Sequence, residues 1–518
     1  MELRPILGPP RTRFASAALA ITLSAYLASA QSAASTVEQL VTERGTPIWS
    51  FPDDGGDRFV LAILVGSGAR DETRSRAGIA HFLEHVVFTS TTASSKVDLD
   101  RALDEHGAEI NGSTEHEYTE FHITSSAGDW RFAVDWLAQH LTQPAFLPAD
   151  VESERRIVSE ELDLKNPHAG SVTYEELLYP EHPLGRSIGG DALTVGAVSP
   201  AELQRFYAEH YRAANIAVGF AGRVPRHECA EAIRSALASL PAGEAARPES
   251  PVHPQTGTMI YGADDQEASG NVTLGYHLPP AGARDLALQL TIAAYLDGRF
   301  NDEVREARQM SYAPEVELVH YTDTHRLQFG THVSDQTNLP KVVAVCDALI
   351  EELRQPDAAR VRRVSGQLGG VFDSNSEGHL VRSMELAWLT HRGGESPQAL
   401  LDALEHVDAA AVGAYAAQNL KSDHRFVISD SVLLGAGPNA WLMLGLALLV
   451  LAVIDGVRGF VWAHALSDRW TAWRLRRARP LPKRPKKAAV SKIEPIDADE
   501  LEASIQRFFK DEDRKRGR

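Results

Sequence analysis

The sequence predicts an α+β protein of two similar domains, followed by one transmembrane helix and a cytoplasmic tail. Three observations carry this. At 518 residues the chain exceeds what one hydrophobic core supports. The order strand, long helix, polar motif occurs in each half, on either side of a proline-rich connector at residues 241–257. Near the C-terminus, residues 432–454 form an apolar window broken only by Gly, Pro438 and Asn439, long enough to span a bilayer of roughly 30 Å. Hydrophobic and charged fractions of 43% and 24% are those of ordinary globular domains.

Residues 1–30 open with Arg4, Arg11 and Arg13, continue as an apolar run from Phe14 and end Ala28-Ser29-Ala30. A basic start, a short apolar centre and a small-residue ending make a secretory signal peptide, with an uncleaved anchor as the alternative. The first domain spans residues 35–240. In it, residues 58–65 (RFVLAILV) read as a buried strand ended by the turn Gly66-Ser67-Gly68.

Residues 78–88 then read as a helix, because Ile79, Phe82, Leu83, Val86 and Val87 recur at helical spacing and supply a core stripe. His81 and His85 are four apart, so they project from one face and can reach a common metal ion. Glu84 stands beside them, close enough to touch a water on that metal. A pair of surface histidines is the competing account. A zinc site with catalytic geometry needs a third protein ligand and one open position. Residues 150–166 read as a helix begun by Pro148 and limited by Pro167, with Val151, Ile157, Val158, Leu162 and Leu164 at apolar positions. Glu154 and Glu161, seven apart, share one of its faces. Between these helices, residues 97–106 form another helix, and residues 109–114 lead into an alternating strand at 118–124. His116 and His122 read as strand-surface residues.

Gly78-Ile79-Ala80-His81-Phe82-Leu83-Glu84-His85 has the H-x-x-E-H order. Together with Glu154-Arg155-Arg156-Ile157-Val158-Ser159-Glu160-Glu161-Leu162 it closely resembles the M16 zinc metallopeptidases, the family of pitrilysin, insulinase and the mitochondrial processing peptidase. The stretch Arg305-Glu306-Ala307-Arg308-Gln309-Met310-Ser311-Tyr312 is similar to the family's second-half Arg/Tyr pair. The resemblance covers residues 35–430. It implies His81, His85 and Glu161 as zinc ligands, with Glu160 as the rival of Glu161, Glu84 as general base and Glu154 as a supporting glutamate. It further implies that Arg305 and Tyr312 hold substrate and stabilise the tetrahedral intermediate. Where the family has Gly-Leu this chain has Gln309-Met310, a departure that bears on the loop's geometry.

The resemblance also makes the stretch that ends in the 118–124 strand the edge on which an extended peptide is laid, with Asn111 near the cleaved bond. Main-chain hydrogen bonds hold such a peptide whatever its side chains. The fold implied is two domains of mixed sheet plus helices. Because the family's sites close between two pairs of domains, a dimer is implied: a homodimer, since both motifs stand in one chain, with a heterodimer as the alternative.

In the second domain (residues 258–430), residues 271–278 read as a strand and 286–304 as a helix leading to the Arg305/Tyr312 loop. His320, His325 and His332 lack ligand spacing and read as structural or surface residues. Cys229 and Cys346, one in each half, read as small buried hydrophobes rather than a disulfide. Beyond the apolar window, residues 469–487 carry nine Lys or Arg and no acid, which keeps that flank in the cytoplasm and the domains outside it. Trp441 and Trp462 fit interfacial positions. In the tail (residues 455–518), residues 480–487 are basic and extended, and Leu501, Ile505, Phe508 and Phe509 mark either a short partner-binding or interfacial helix or a solvated end.

Residues 1–30 carry a net +2 and residues 456–518 a net +8, so with −18 overall the intervening chain holds −28. That balance argues against nucleic acid as a partner. The expectation is a membrane-tethered zinc endopeptidase. It would act on peptides or unfolded proteins in a bacterial periplasm, held at the inner membrane. The competing class is a non-catalytic peptide-binding subunit, against which the intact Glu84 speaks.

Overall fold

Strand β3 (Arg58–Val65) lies where the sequence indicates it, inside a six-stranded sheet and buried from Phe59 onward. The computed structural model describes residues 37–52, 56–165, 173–243, 251–260, 269–370 and 377–430. The expected signal peptide, membrane helix and tail lie outside these residues. Among the described residues no helix is long and apolar enough to cross a membrane.

The first sheet contains β1 (Glu38–Val41), β2 (Pro47–Ser50), β3, β4 (Glu109–Thr114), β5 (Thr119–Ser126) and β6 (Ile216–Gly222) in the order β1-β2-β6-β3-β5-β4. All neighbours are antiparallel except β2 with β6. The second sheet contains β7 (Gly257–Ile260), β8 (Gly270–Leu278), β9 (Glu315–His320), β10 (His325–Val333) and β11 (Arg425–Ser429) in the order β7-β11-β8-β10-β9. Only β7 and β11 are parallel. With β1 set aside, both sheets place their strands first, fifth, second, fourth, third, and pair the first and fifth in parallel. The two halves are copies of one mixed-sheet topology.

Helices of the first domain are α1 (Ile79–Val87), α2 (Lys96–His106), α3 (Trp130–Thr142), α4 (Pro148–Lys165), α5 (Tyr174–Leu178), α6 (Ala192–Ala197), α7 (Pro200–His210) and α8 (Arg226–Ala236). The second domain has α9 (Ala283–Phe300), α10 (Leu339–Glu352), α11 (Ala358–Leu368), α12 (Glu377–Arg392), α13 (Pro397–Glu405) and α14 (Ala409–Asn419). The helix expected over 286–304 is therefore α9, which then widens into a π-helical segment, Asn301–Ala307.

Each sheet is covered on one face by its own helices and on the other by the opposite domain. Phe59, Leu61, Ile63, Phe121 and Ile123 pack on Phe82, Leu83 and Val86 of α1. The reverse face, with Val60, Ala62, Leu64 and Ala217, joins the second domain's core at Met384 and Trp388 of α12. Gly219 admits that helix, since a Cβ there would fall 2.0 Å from Met384 Sδ. In exchange, Leu178, Tyr179 and Leu184 of the first domain pack on Val319, Phe426 and Ile428 of the second sheet and on Tyr321 just beyond β9.

This mutual covering corrects two expectations. The strand expected at the edge, 118–124, is interior: β5 pairs with β3 on one side and β4 on the other, and β4 is the edge. His116 and His122 are buried rather than on a strand surface. His122 Nδ1 shares a hydrogen bond with Glu120 at 2.7 Å, and the Tyr118 hydroxyl beside them donates to Glu385 of α12. Cys229 and Cys346 are buried and unbridged, as expected.

A charged clamp closes the junction. Arg70 donates to Glu117 at 2.6 Å and to both oxygens of Asp323, across the domain boundary, at 2.8 and 2.5 Å. The other Glu117 oxygen accepts from the Thr322 amide and hydroxyl, each at 2.8 Å. Arg70→Ala strands two carboxylates there. It should cost about 3 kcal/mol in urea unfolding, at the lower end for buried pairs because Asp323 is partly screened by water. A change of under about 0.5 kcal/mol would show that the clamp does not hold the domains.

Candidate metal centre

Helix α1 buries Ile79, Phe82, Leu83, Val86 and Val87, each at most 1% exposed, and so turns His81 and His85 toward α4. On α4, Val151, Val158 and Leu162 form the buried stripe that docks on the core. Ile157, expected among them, is instead 48% exposed. The docking carries Glu154 and Glu161 to the two histidines, while Glu160 is exposed to solvent. Arg155 locks the arrangement: its guanidinium lies 5.0 Å over the Phe82 ring and donates to the carbonyls of Val195 and Val198 at the end of α6.

Ligand atoms of His81, His85 and Glu161 lie within 4.8 Å of one another, the one such group among the described residues. Two ligands bonded at about 2.1 Å in a tetrahedral shell stand about 3.4 Å apart. His85 Nε2 is 3.4 Å from Glu161 Oε2, and His81 Nε2 is 3.7 Å from the same oxygen. The donor set and its spacing therefore fit zinc. Glu154 Oε2 stands 3.5 Å from His85 Nδ1, where a carboxylate orients a ligating imidazole.

Glu84 is buried one residue before His85, and its Oε2 accepts the Thr114 hydroxyl of β4 at 2.8 Å. Gly112 lies over its other oxygen, since a Cβ there would sit 3.1 Å from Glu84 Oε1. Burial pushes the Glu84 carboxyl up to about 7, against the pull of His85 and of the Thr114 bond. For His85 burial acts downward, but hydrogen bonds to Glu154 and Glu161 and the charge of Glu84 outweigh it and raise the imidazole to about 9.

Asn111 lies exposed on the edge strand. The hairpin closes with Glu115 N–H donating to the Tyr118 carbonyl at 2.8 Å, and bonded pairs alternate from there. Ser113 and Asn111 therefore bond inward to β5, whereas Ile110, Gly112 and Thr114 turn their backbone groups to the free edge. The outward Gly112 N–H donates to Asn111 Oδ1 at 2.9 Å.

Arg305 and Tyr312 come together, the guanidinium 4.7 Å over the ring. Their partners among the described residues are each other and Glu306, not the histidine cluster. Tyr312 is 79% exposed. Gln309 adopts φ +51°, so the turn keeps a left-handed residue where the resemblance expects glycine.

Three features went unread in the sequence. Arg155 satisfies the end of a helix 40 residues away, which no local pattern signals. Glu72 accepts from the backbone at the start of α1. Gly189 lies against Leu162 and His81, so that a Cβ there would reach within 2.7 Å of Leu162 Cδ2. A signal existed for Glu72 alone: Gly78 has no side chain to cap its own helix.

Two family models match the chain. "Insulinase (Peptidase family M16)" covers residues 52–189 and "Peptidase M16 inactive domain" covers residues 197–368, together more than half of the sequence. An uncharacterised zinc protease of Mycobacterium bovis is 30% identical over 282 residues, 52% of this chain and 63% of that protein. The chain thus spans a little under two thirds of that relative's length. One from Mycobacterium leprae is 28% identical over 378 residues, 68% of this chain and 83% of that protein. Among solved structures, a protease from Helicobacter pylori superposes with a TM-score of 0.64 at 17% identity, covering 76% of this chain and 99% of that one, a likeness of fold.

In the metal-free protein the raised His85 pKa of about 9 means that a proton must leave before the imidazole can ligate. Apparent zinc affinity, measured by competition with a chromophoric chelator, should rise about tenfold per pH unit from about pH 6.5 to 8.5 and level off near pH 9. A flat profile would refute the pairing of a raised His85 pKa with its role as ligand, and zinc affinity of His85→Ala would then tell which of the two fails.

Proposed function

The chain belongs to peptidase family M16, and on that premise we propose that it is a zinc-dependent endopeptidase of peptides or unfolded proteins. The observation that carries this reading is the convergence of His81, His85 and Glu161 with a buried Glu84 beside them. Zinc bound by those three residues would supply Lewis-acid polarisation of a peptide carbonyl and a water of lowered pKa. Glu84, held by Thr114, takes a proton from the attacking water and returns it to the leaving amine, a task suited to a buried carboxyl beside the ligands. Glu154 keeps His85 oriented.

The substrate lies extended along the outward edge of β4, where Gly112 brings the backbone over Glu84. Asn111 gives up its bond to the Gly112 amide as the substrate takes that donor. Arg305 and Tyr312 hold substrate and the developing oxyanion. The resemblance to a family whose sites close between two pairs of domains supports a homodimer in which one protomer's pair serves its partner's site. The signal-like start, the apolar window at 432–454 and the basic flank after it support single-pass tethering at an inner membrane, with the domains outside the cytoplasm.

Hydrolysis of a mixed quenched-peptide library by the purified full chain tests the reading. Chelation should abolish cleavage, zinc should restore it, and Glu84→Gln should lower it at least about a hundredfold while zinc stays bound. Zinc binding without cleavage in the wild type would favour a peptide-binding subunit instead. Glu84→Gln and Tyr312→Phe chains, dissociated and reassociated in equal amounts, should regain about a quarter of wild-type activity if protomers share sites. No gain over the separate variants would refute the sharing.

A further inference from the structure

The metal helix starts without a cap of its own. Gly78 occupies its N-terminal boundary at φ +87° and has no side chain to offer the first N–H groups. Such donors are ordinarily met by Ser, Thr, Asp or Asn at that position. Here the acceptor comes from six residues upstream. Glu72 Oε2 accepts from Gly78 N–H and Oε1 from Ala80 N–H, each at 2.8 Å, and the side chain is shut away from water. Both oxygens are therefore committed to one turn of helix, and the residue after Ala80 is His81.

Glu72 is itself fixed from the far side of the site. Its carbonyl accepts from Arg186 Nη1 at 2.8 Å. Arg186 leads into Gly189 and Gly190, which meet the helix start backbone to backbone. A Cβ on Gly78 would fall 2.3 Å from the Gly189 carbonyl oxygen, and one on Gly190 would fall 2.2 Å from that of Ala77. Helix α1 has only nine residues, and a rotation at its first turn would swing both imidazoles away from Glu161 together.

We infer that Glu72 is a positioning residue of the metal centre, its carboxylate setting the angle at which His81 and His85 meet Glu161. This rests on the zinc reading above and extends it to a residue that touches neither metal nor substrate. A merely structural role would cost stability and leave metal affinity alone, whereas a positioning role moves affinity first.

The test uses the full chain as wild type, Glu72→Gln and Glu72→Ala, with Leu349→Ala as a control that loosens the second domain's core away from α1. Zinc dissociation constants come from chelator competition, and apo-protein amide exchange is followed over residues 78–85. Glu72→Gln keeps one acceptor and should bind zinc about tenfold more weakly, and Glu72→Ala up to about a hundredfold, with faster exchange in both. Leu349→Ala should lose thermal stability and keep wild-type affinity. Wild-type affinity in Glu72→Gln and Glu72→Ala would overturn the inference, as would an equal loss in Leu349→Ala. If the wild type binds no zinc, the metal reading fails by itself. Exchange in Glu72→Gln then decides the remainder, and an unchanged rate would refute the hold on α1.

Discussion

Two imidazoles on a nine-residue helix can meet a carboxylate on another helix only if something outside the first helix fixes its axis. A helix that short is not stable alone in water, and its own hydrogen bonds do not define a direction to better than the chain around it allows. The protein supplies that direction from three sides. The stripe Ile79, Phe82, Leu83, Val86 and Val87 presses α1 onto the sheet. Arg155 stacks on Phe82 and ties α4 to α6. Gly78 and Gly190 let two backbones touch where any side chain would hold them apart. The acid–base chemistry follows from the same packing, because it buries Glu84 and crowds three carboxylates round His85.

The duplicated topology shows what the second domain contributes. Helix α9 occupies the point in its sheet that α1 occupies in the first, directly after the second strand. It carries no ligand pair and is buried nearly all round, from Ala283 to Phe300. Freed of a metal, this half covers instead: α12 seals the first sheet, and the clamp at Arg70 and Asp323 sets the join. In return the segment around Tyr179 seals the second sheet.

Local pattern was legible where one segment decides its own structure. The run RFVLAILV between turn residues could only be a buried strand, and it is β3. The apolar spacing of α1 and the proline-bounded α4 likewise came through; choosing Glu161 over Glu160 beside His81 and His85 took the family resemblance. What could not be read was which element lies on which. The alternation of Glu120, Phe121, His122 and Ile123 describes a strand with one polar face, and that face is polar, yet it lies under α12 and not under water. Ile157 shows the converse, an apolar residue in helical register that ends on the surface. Periodicity reports a face, not what covers it. Glu72 escaped for a related reason, since a carboxylate that folds back on amides six and eight residues ahead obeys no helical or strand spacing.

The edge strand β4 has a further consequence. The substrate placement proposed above needs one border of the sheet open, and an open border of flat strand is also where proteins polymerise and aggregate. Here the border is short, six residues, and it is not bare. The carboxamide of Asn111 fills the outward Gly112 amide, and the Thr114 hydroxyl is turned away to Glu84. With one outward amide already taken by its own carboxamide, the strand is a poorer template for a second copy of itself.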